Sequence, residues 1–152
     1  MSFRLVLAAA CVAGAAAIVP AALGDAVYHS EHLALTPVGD APLRSGFIEN
    51  IHANGPNVYA HEVYVLNGAL SNTSYGVTLL LHPSDPTCSG AAVDVPTATF
   101  TTGVSGNGRA DAVFDVATVD AFGIRHATHG IIWTISGGGS TYMTTCRAVT
   151  LD

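Results

Sequence analysis

The chain has 152 residues, eleven acids, five arginines and no lysine, for a formal charge of −6 at pH 7. Without a basic footprint it has no electrostatic means of holding nucleic acid or an anionic membrane. Without lysine it can run no lysine Schiff-base chemistry.

Met1-Ser2-Phe3-Arg4 gives a short start with one positive side chain, and Leu5 to Leu23 then runs uncharged through Ala and Val to a break at Pro20. Ala22-Leu23-Gly24 before Asp25 fits a small-x-small cleavage site, so residues 1–24 read as a secretory signal peptide. The alternative, a retained anchor, has the necessary length. It is disfavoured because Ala and Gly carry little hydrophobicity and Pro20 interrupts the run. Cleavage predicts a secreted protein with no membrane span. It leaves Arg44, Arg109, Arg125 and Arg147 against eleven acids, a formal charge of −7. It also removes Cys11, so that Cys88 and Cys146 remain as an even pair and predict one disulfide in an oxidising compartment.

After residue 24 no stretch keeps a 3.6-residue apolar period, and β-branched and aromatic residues cluster in short runs between turn signals. Residues 25–45 read as an N-terminal extended segment, with strand character at Val27 to Leu33. Residues 46–152 read as the sandwich domain. Its expected strands are Gly46 to Ala53, then Val58 to Leu66 beyond the Asn54-Gly55-Pro56-Asn57 turn. Tyr75 to Leu81 follows and ends before Pro83, since proline cannot donate to a ladder. Thr97 to Thr102 and Ala110 to Val116 read as a hairpin about Ser105-Gly106-Asn107-Gly108. Asn-Gly is a strong reversal signal because both residues tolerate positive φ. Ala98 and Phe100 would face inward from one arm of that hairpin, Ala112 and Phe114 from the other. One helical piece is expected near Val116 to Phe122. Gly130 to Ser136 and Thr141 to Leu151, across the turn at Gly137 to Gly139, complete the set. Seven or eight strands so spaced, with no helix between them apart from that piece, predict an all-β fold, an antiparallel β-sandwich.

Asn72-Thr73-Ser74-Tyr75-Gly76-Val77 resembles the strand entry of fibronectin type III-like and bacterial immunoglobulin-like modules, with Ser71 where those modules usually carry Pro. Thr97 to Thr102 with Gly106-Asn107-Gly108 resembles a hairpin of the same modules. The stretch from Gly46 to Asp152 is similar to small secreted bacterial proteins of this kind. The resemblance implies a corner in which Tyr75 hydrogen-bonds back to the preceding turn. It implies a fold and no catalytic residue.

Three functional classes follow. The first is a non-enzymatic binding module, free of cofactors, whose loops or sheet face meet a protein or a component of the cell envelope. The second is an extracellular copper- or zinc-binding protein. With Ala53 opposite Val58, His52 and His61 would share a face on a diagonal of about 7 Å, and His126 and His129 could add imidazole ligands. The third is a small hydrolase, since the same register sets Glu49 opposite Glu62 as a carboxylate pair. No nucleophile elbow and no phosphate-cradling loop is present in the sequence.

Overall fold

The computed structural model describes residues 27–54 and 60–150, with the side chains of residues 30–51 and 60–150. The expected signal peptide and the tip of the first hairpin lie outside the described residues.

Alternation of apolar and polar side chains decides the architecture. In β4 (Ala60–Asn67) every second residue from Ala60 to Leu66 is buried. In β5 (Ser74–His82) Tyr75, Val77, Leu79 and Leu81 are buried. Strands with this period bury one face only and so stack in pairs of sheets. One sheet runs β1 (Val27–Ala34), β3 (Ser45–Asn54), β4, β7 (Gly108–Phe114). The other runs β2 (Thr36–Pro37), β9 (Ser140–Met143), β8 (Thr128–Gly137), β5, β6 (Val93–Thr101), with β10 (Arg147–Thr150) also on β8. All described pairings are antiparallel. The chain crosses between sheets after β1, β2, β4, β6 and β7. The result is an antiparallel β-sandwich of a four-stranded and a six-stranded sheet. Trp133, Tyr64, Tyr75 and Tyr142 fill its centre with Ile48, Leu66 and Ile135. Segment 25–45 contributes to the same core: β1 pairs with β3 along its length, and Leu33 and Leu35 are buried.

Two expectations about pairing are corrected. The β3–β4 hairpin is one residue out of the expected register, with Ile48 across from Tyr64 and His52 across from Ala60. The core sets this. Gly46, Ile48 and Asn50 must share the inward face with Leu66, Tyr64 and Glu62, and a one-residue slip would turn one strand inside out. The second correction concerns the Asn-Gly reversal. It makes no ladder, because β6 and β7 lie at the edges of different sheets. Phe100, Ala98, Ala112 and Phe114 all pack on the core as expected, but from opposite sides of it.

The reversal serves a different contact. The Ala69 N–H donates to the Gly106 carbonyl at 3.0 Å, and the Gly68 N–H donates to Oδ1 of Asn107 at 3.0 Å. Nearby, the Thr102 hydroxyl donates to the Leu70 carbonyl at 2.6 Å, so Thr102 ties down the turn before β5. The Tyr75 hydroxyl meets that of Tyr142 at 3.5 Å. Gly106 has φ +71°, and a Cβ there would overlap the Ala69 carbonyl. Gly106→Ala should therefore lower stability by roughly 2–3 kcal/mol, read from urea unfolding.

β9 and β10 are two halves of one bulged strand. Met143 pairs with Thr134 and Arg147 with Ile131, leaving one more residue on this strand than on β8. Cys146 sits in that bulge and forms the expected disulfide with Cys88. The loop carrying Cys88 is organised by Asp85. Its Oδ1 accepts from the Thr87 N–H and hydroxyl, and its Oδ2 from the N–H groups of Ser89 and Gly90. Those donors hold the Asp85 carboxyl well below the usual carboxylate range. The loop lies flat on β8 at Gly130, where a Cβ would overlap the Asp85 carbonyl and the Cys88 sulfur.

Candidate functional site

The sequence-predicted metal and acid pairs are not brought together. His61 stands across from Ile51 while position 52 stands across from Ala60, so the two positions fall on opposite faces of the sheet. His61 instead lies 3.9 Å from Asp111 on the outer face. His126 is exposed in a loop with φ +59°. His129 is buried on β8, and its Nδ1 accepts from the Ser84 N–H at 3.1 Å. Burial pulls the His129 pKa down, and the ring ties the Asp85 loop to the sheet. Among the described residues no three His, Cys, Asp or Glu side chains converge as a metal would require. Glu49 faces outward across from Val63 and Glu62 faces inward across from Asn50, so this register forms no carboxylate pair.

Each acid has other partners. On the outer face Glu49 accepts from the Ser30 hydroxyl and lies 3.0 Å from Nδ1 of His32. Those bonds hold its carboxyl below the usual range. Serine, histidine and glutamate are the residue types of a hydrolytic triad, but the wiring differs. In a triad the serine bonds to the imidazole, which takes its proton; here serine and imidazole both bond to the acid, on an exposed sheet face.

Glu62 sits in the interior. It is 3% exposed and belongs to an inward row that crosses the sheet from Glu31 on β1 through Asn50 on β3 to Glu62 on β4. The row begins at the rim, where Arg147 on β10 reaches Oε1 of Glu31 at 3.4 Å. It ends at Tyr64, whose hydroxyl lies 2.5 Å from Oε2 of Glu62 and 3.0 Å from the Thr97 hydroxyl. A tyrosine has one proton to give. With Glu62 ionised, Tyr64 donates to the carboxylate and accepts from Thr97; with Glu62 protonated, the chain of donors can reverse. Burial pushes the Glu62 pKa up to about 7, against the smaller opposing pull of the Tyr64 hydroxyl. Burial and the adjacent acid likewise push the Tyr64 phenol upward. Among the described residues, Nδ2 of Asn50 and Nε1 of Trp133 are buried donors without a protein partner, as are Nε of Arg125 and Nε2 of His129 elsewhere. In native interiors such atoms are few and mark water, ligand or strain.

Asn50 and Glu62 line a cavity of about 30 Å³ between the sheets. Its walls are otherwise apolar: Leu79 and Leu81 of β5, Val95 of β6, Ile131 of β8, Val149 of β10. The cover is α1 (Val116–Ala121), a six-residue helix capped by Asp115, whose side chain accepts from the Thr118 N–H. Val119 of α1, with Phe122 and Ile124 after it, closes the cavity from outside. Phe122 is 43% exposed, so the cover is thin at that point.

The inward position of Glu62 had a signal in the sequence. Ala60, Tyr64 and Leu66 at period two put Glu62 on the core face. Asn50 followed only from the register. No family model, no curated protein and no solved structure matches this chain.

Proposed function

We propose that the chain is an exported binding module whose site is the cavity between its two sheets, and that it carries a small ligand rather than transforming one. Export is supported by the charge-free run ahead of a small-x-small site and by the Cys88–Cys146 bridge. The observation that carries the binding reading is the cavity itself: an apolar enclosure, a thin cover, and two buried polar side chains on one wall. Ligand sites in sandwiches and barrels have this make-up. A volume of about 30 Å³ admits one or two waters. Anything larger enters as α1 lifts, and α1 is held by its cap, by the packing of Val116 and Val119 and by the Asp120–Arg125 ion pair. The binding reading is also favoured by the setting of Glu62, which has no second carboxylate or nucleophile beside it on the described cavity wall.

The test is an NMR titration of the oxidised chain with small organic probes, following the methyl signals of Leu79, Leu81, Val119 and Ile131. Saturable shifts confined to these methyls are expected. Ala60→Val, which places two further methyl groups against the cavity, should keep the fold and weaken binding at least tenfold. Shifts scattered over the surface and unchanged by Ala60→Val would defeat the proposal.

A further inference from the structure

The register that parts position 52 from His61 sets it directly across from another histidine. His29 of β1 pairs with His52 of β3, and the pairs alongside include Glu31 with Asn50 and Leu33 with Ile48. Leu33, Ile48 and Asn50 are buried, so the period of two assigns positions 29, 31 and 52 to the same inward face. Register alone places the two histidines, since their side chains lie outside those described. Residues directly opposite in an antiparallel pair have Cβ atoms about 4.5–5.5 Å apart. Two imidazoles based at that spacing can share one ion at a metal–nitrogen distance of about 2.0–2.1 Å. An independent observation comes from Glu31, two residues along β1. Its Oε1 meets Arg147 at 3.4 Å, while its Oε2 is buried with no hydrogen-bond partner among the described residues. A buried carboxylate oxygen without a donor calls for a cation or a proton.

We infer that His29, His52 and Glu31 form a binding site for one divalent late transition ion, zinc by first choice, at the rim where Arg147 of β10 meets β1. Two neutral imidazoles and a carboxylate are a three-ligand set that zinc takes with water in its fourth position. Copper(II) accepts the same nitrogen and oxygen donors, whereas calcium and magnesium ask for oxygen alone. Both thiols of the sandwich are committed to the Cys88–Cys146 bridge, so no thiolate competes. Arg147 occupies one oxygen of Glu31 and leaves the other for the ion. Metal binding here requires nothing of the cavity.

The test is a calorimetric titration of zinc chloride into the untagged, oxidised chain at pH 7.5. His29→Ala, His52→Ala and Glu31→Gln are titrated beside it, with the outer-face pair His32→Ala and His61→Ala combined in one control. The parent should take up one zinc. The dissociation constant should rise tenfold or more in either inner histidine variant, and severalfold in Glu31→Gln. The outer-face control should stay within about twofold of the parent, its positions lying on the other side of the sheet. An ion that binds the folded state alone stabilises it, so excess zinc should raise the thermal midpoint of the parent and not that of His29→Ala. The parent's own titration decides even if a variant fails to fold. Absence of saturable zinc uptake by the parent would overturn the inference and leave Oε2 of Glu31 answered by hydrogen bonds alone. Uptake unchanged in both inner histidine variants, or lost in the outer-face control, would overturn it equally.

Discussion

Raising the pH from 4 to 8 should cost the chain about 3 kcal/mol of folding stability that the Glu62→Gln variant does not lose. The argument is one of proton linkage. Glu62 titrates at about 7 when folded, against 4.5 for an ordinary glutamate. Below pH 4.5 the carboxyl is protonated in both states and costs nothing. Between 4.5 and 7 the unfolded chain releases the proton and the folded chain keeps it. The folded state then binds more protons, and stability falls with rising pH at about 1.4 kcal/mol per unit. Above 7 both states are ionised and the full penalty remains. Glutamine keeps the shape and cannot ionise, so the variant should match the parent near pH 4 and exceed it by about 3 kcal/mol at pH 8. Asp85, Asp115 and Glu49 act in the opposite sense: their folded pKa values are lowered, so their contribution disappears as the pH falls. Both proteins share these groups, and the difference between two urea series removes them. A difference that stays flat from pH 4 to 8 would mean that Glu62 is not buried as described.

Replacing Cys88 and Cys146 together by serine should remove about 4 kcal/mol. The bridge joins residues 58 apart in sequence, and closing a loop of that size removes chain entropy of this order from the unfolded state. Denaturant midpoints of the oxidised parent and the double variant give the number. Hydrogen exchange should locate the first consequence in the Asp85 loop and β10, which the bridge joins. The loop retains the bonds to Asp85 and His129, so the variant should loosen there before the sandwich opens. A loss below about 1 kcal/mol would mean that these bonds already fix the unbridged loop.

The strands were legible because burial at period two leaves its mark residue by residue. Tyr75, Val77, Leu79 and Leu81 in β5, and Ile131, Trp133 and Ile135 in β8, read directly as inward faces. The bridge was legible from the cysteine count, and a helical piece was expected near Val116 to Phe122, where α1 lies. Pairing was harder to read. Asn107-Gly108 marks a reversal, but a reversal between two sheets and one within a ladder use the same residues, and here Gly68 and Ala69 accounted for the turn's geometry. The β3–β4 register depended on which inward residues meet, and Asn54 to Asn57 could not report that. Both functional pairs inferred from that hairpin depended on the register, so one residue separated Glu49 from Glu62 and position 52 from His61. The cavity was illegible for a further reason. It is a gap among seven strands and the cover, and a gap has no residue of its own.

The bulge at Cys146 gives the site a history as well as a shape. Cys146 immediately precedes β10, and Val149 of β10 is one wall of the cavity. Arg147 between them meets Glu31 at the start of the interior polar row. While the thiols are reduced, that four-residue strand is held by its ladder to β8 and by the Arg147–Glu31 contact. Oxidation fastens it to the Asp85 loop and thereby to the rest of the sheet. On the export reading proposed above, the bridge that fastens this cavity wall forms only once the chain reaches surroundings that can take electrons from its thiols.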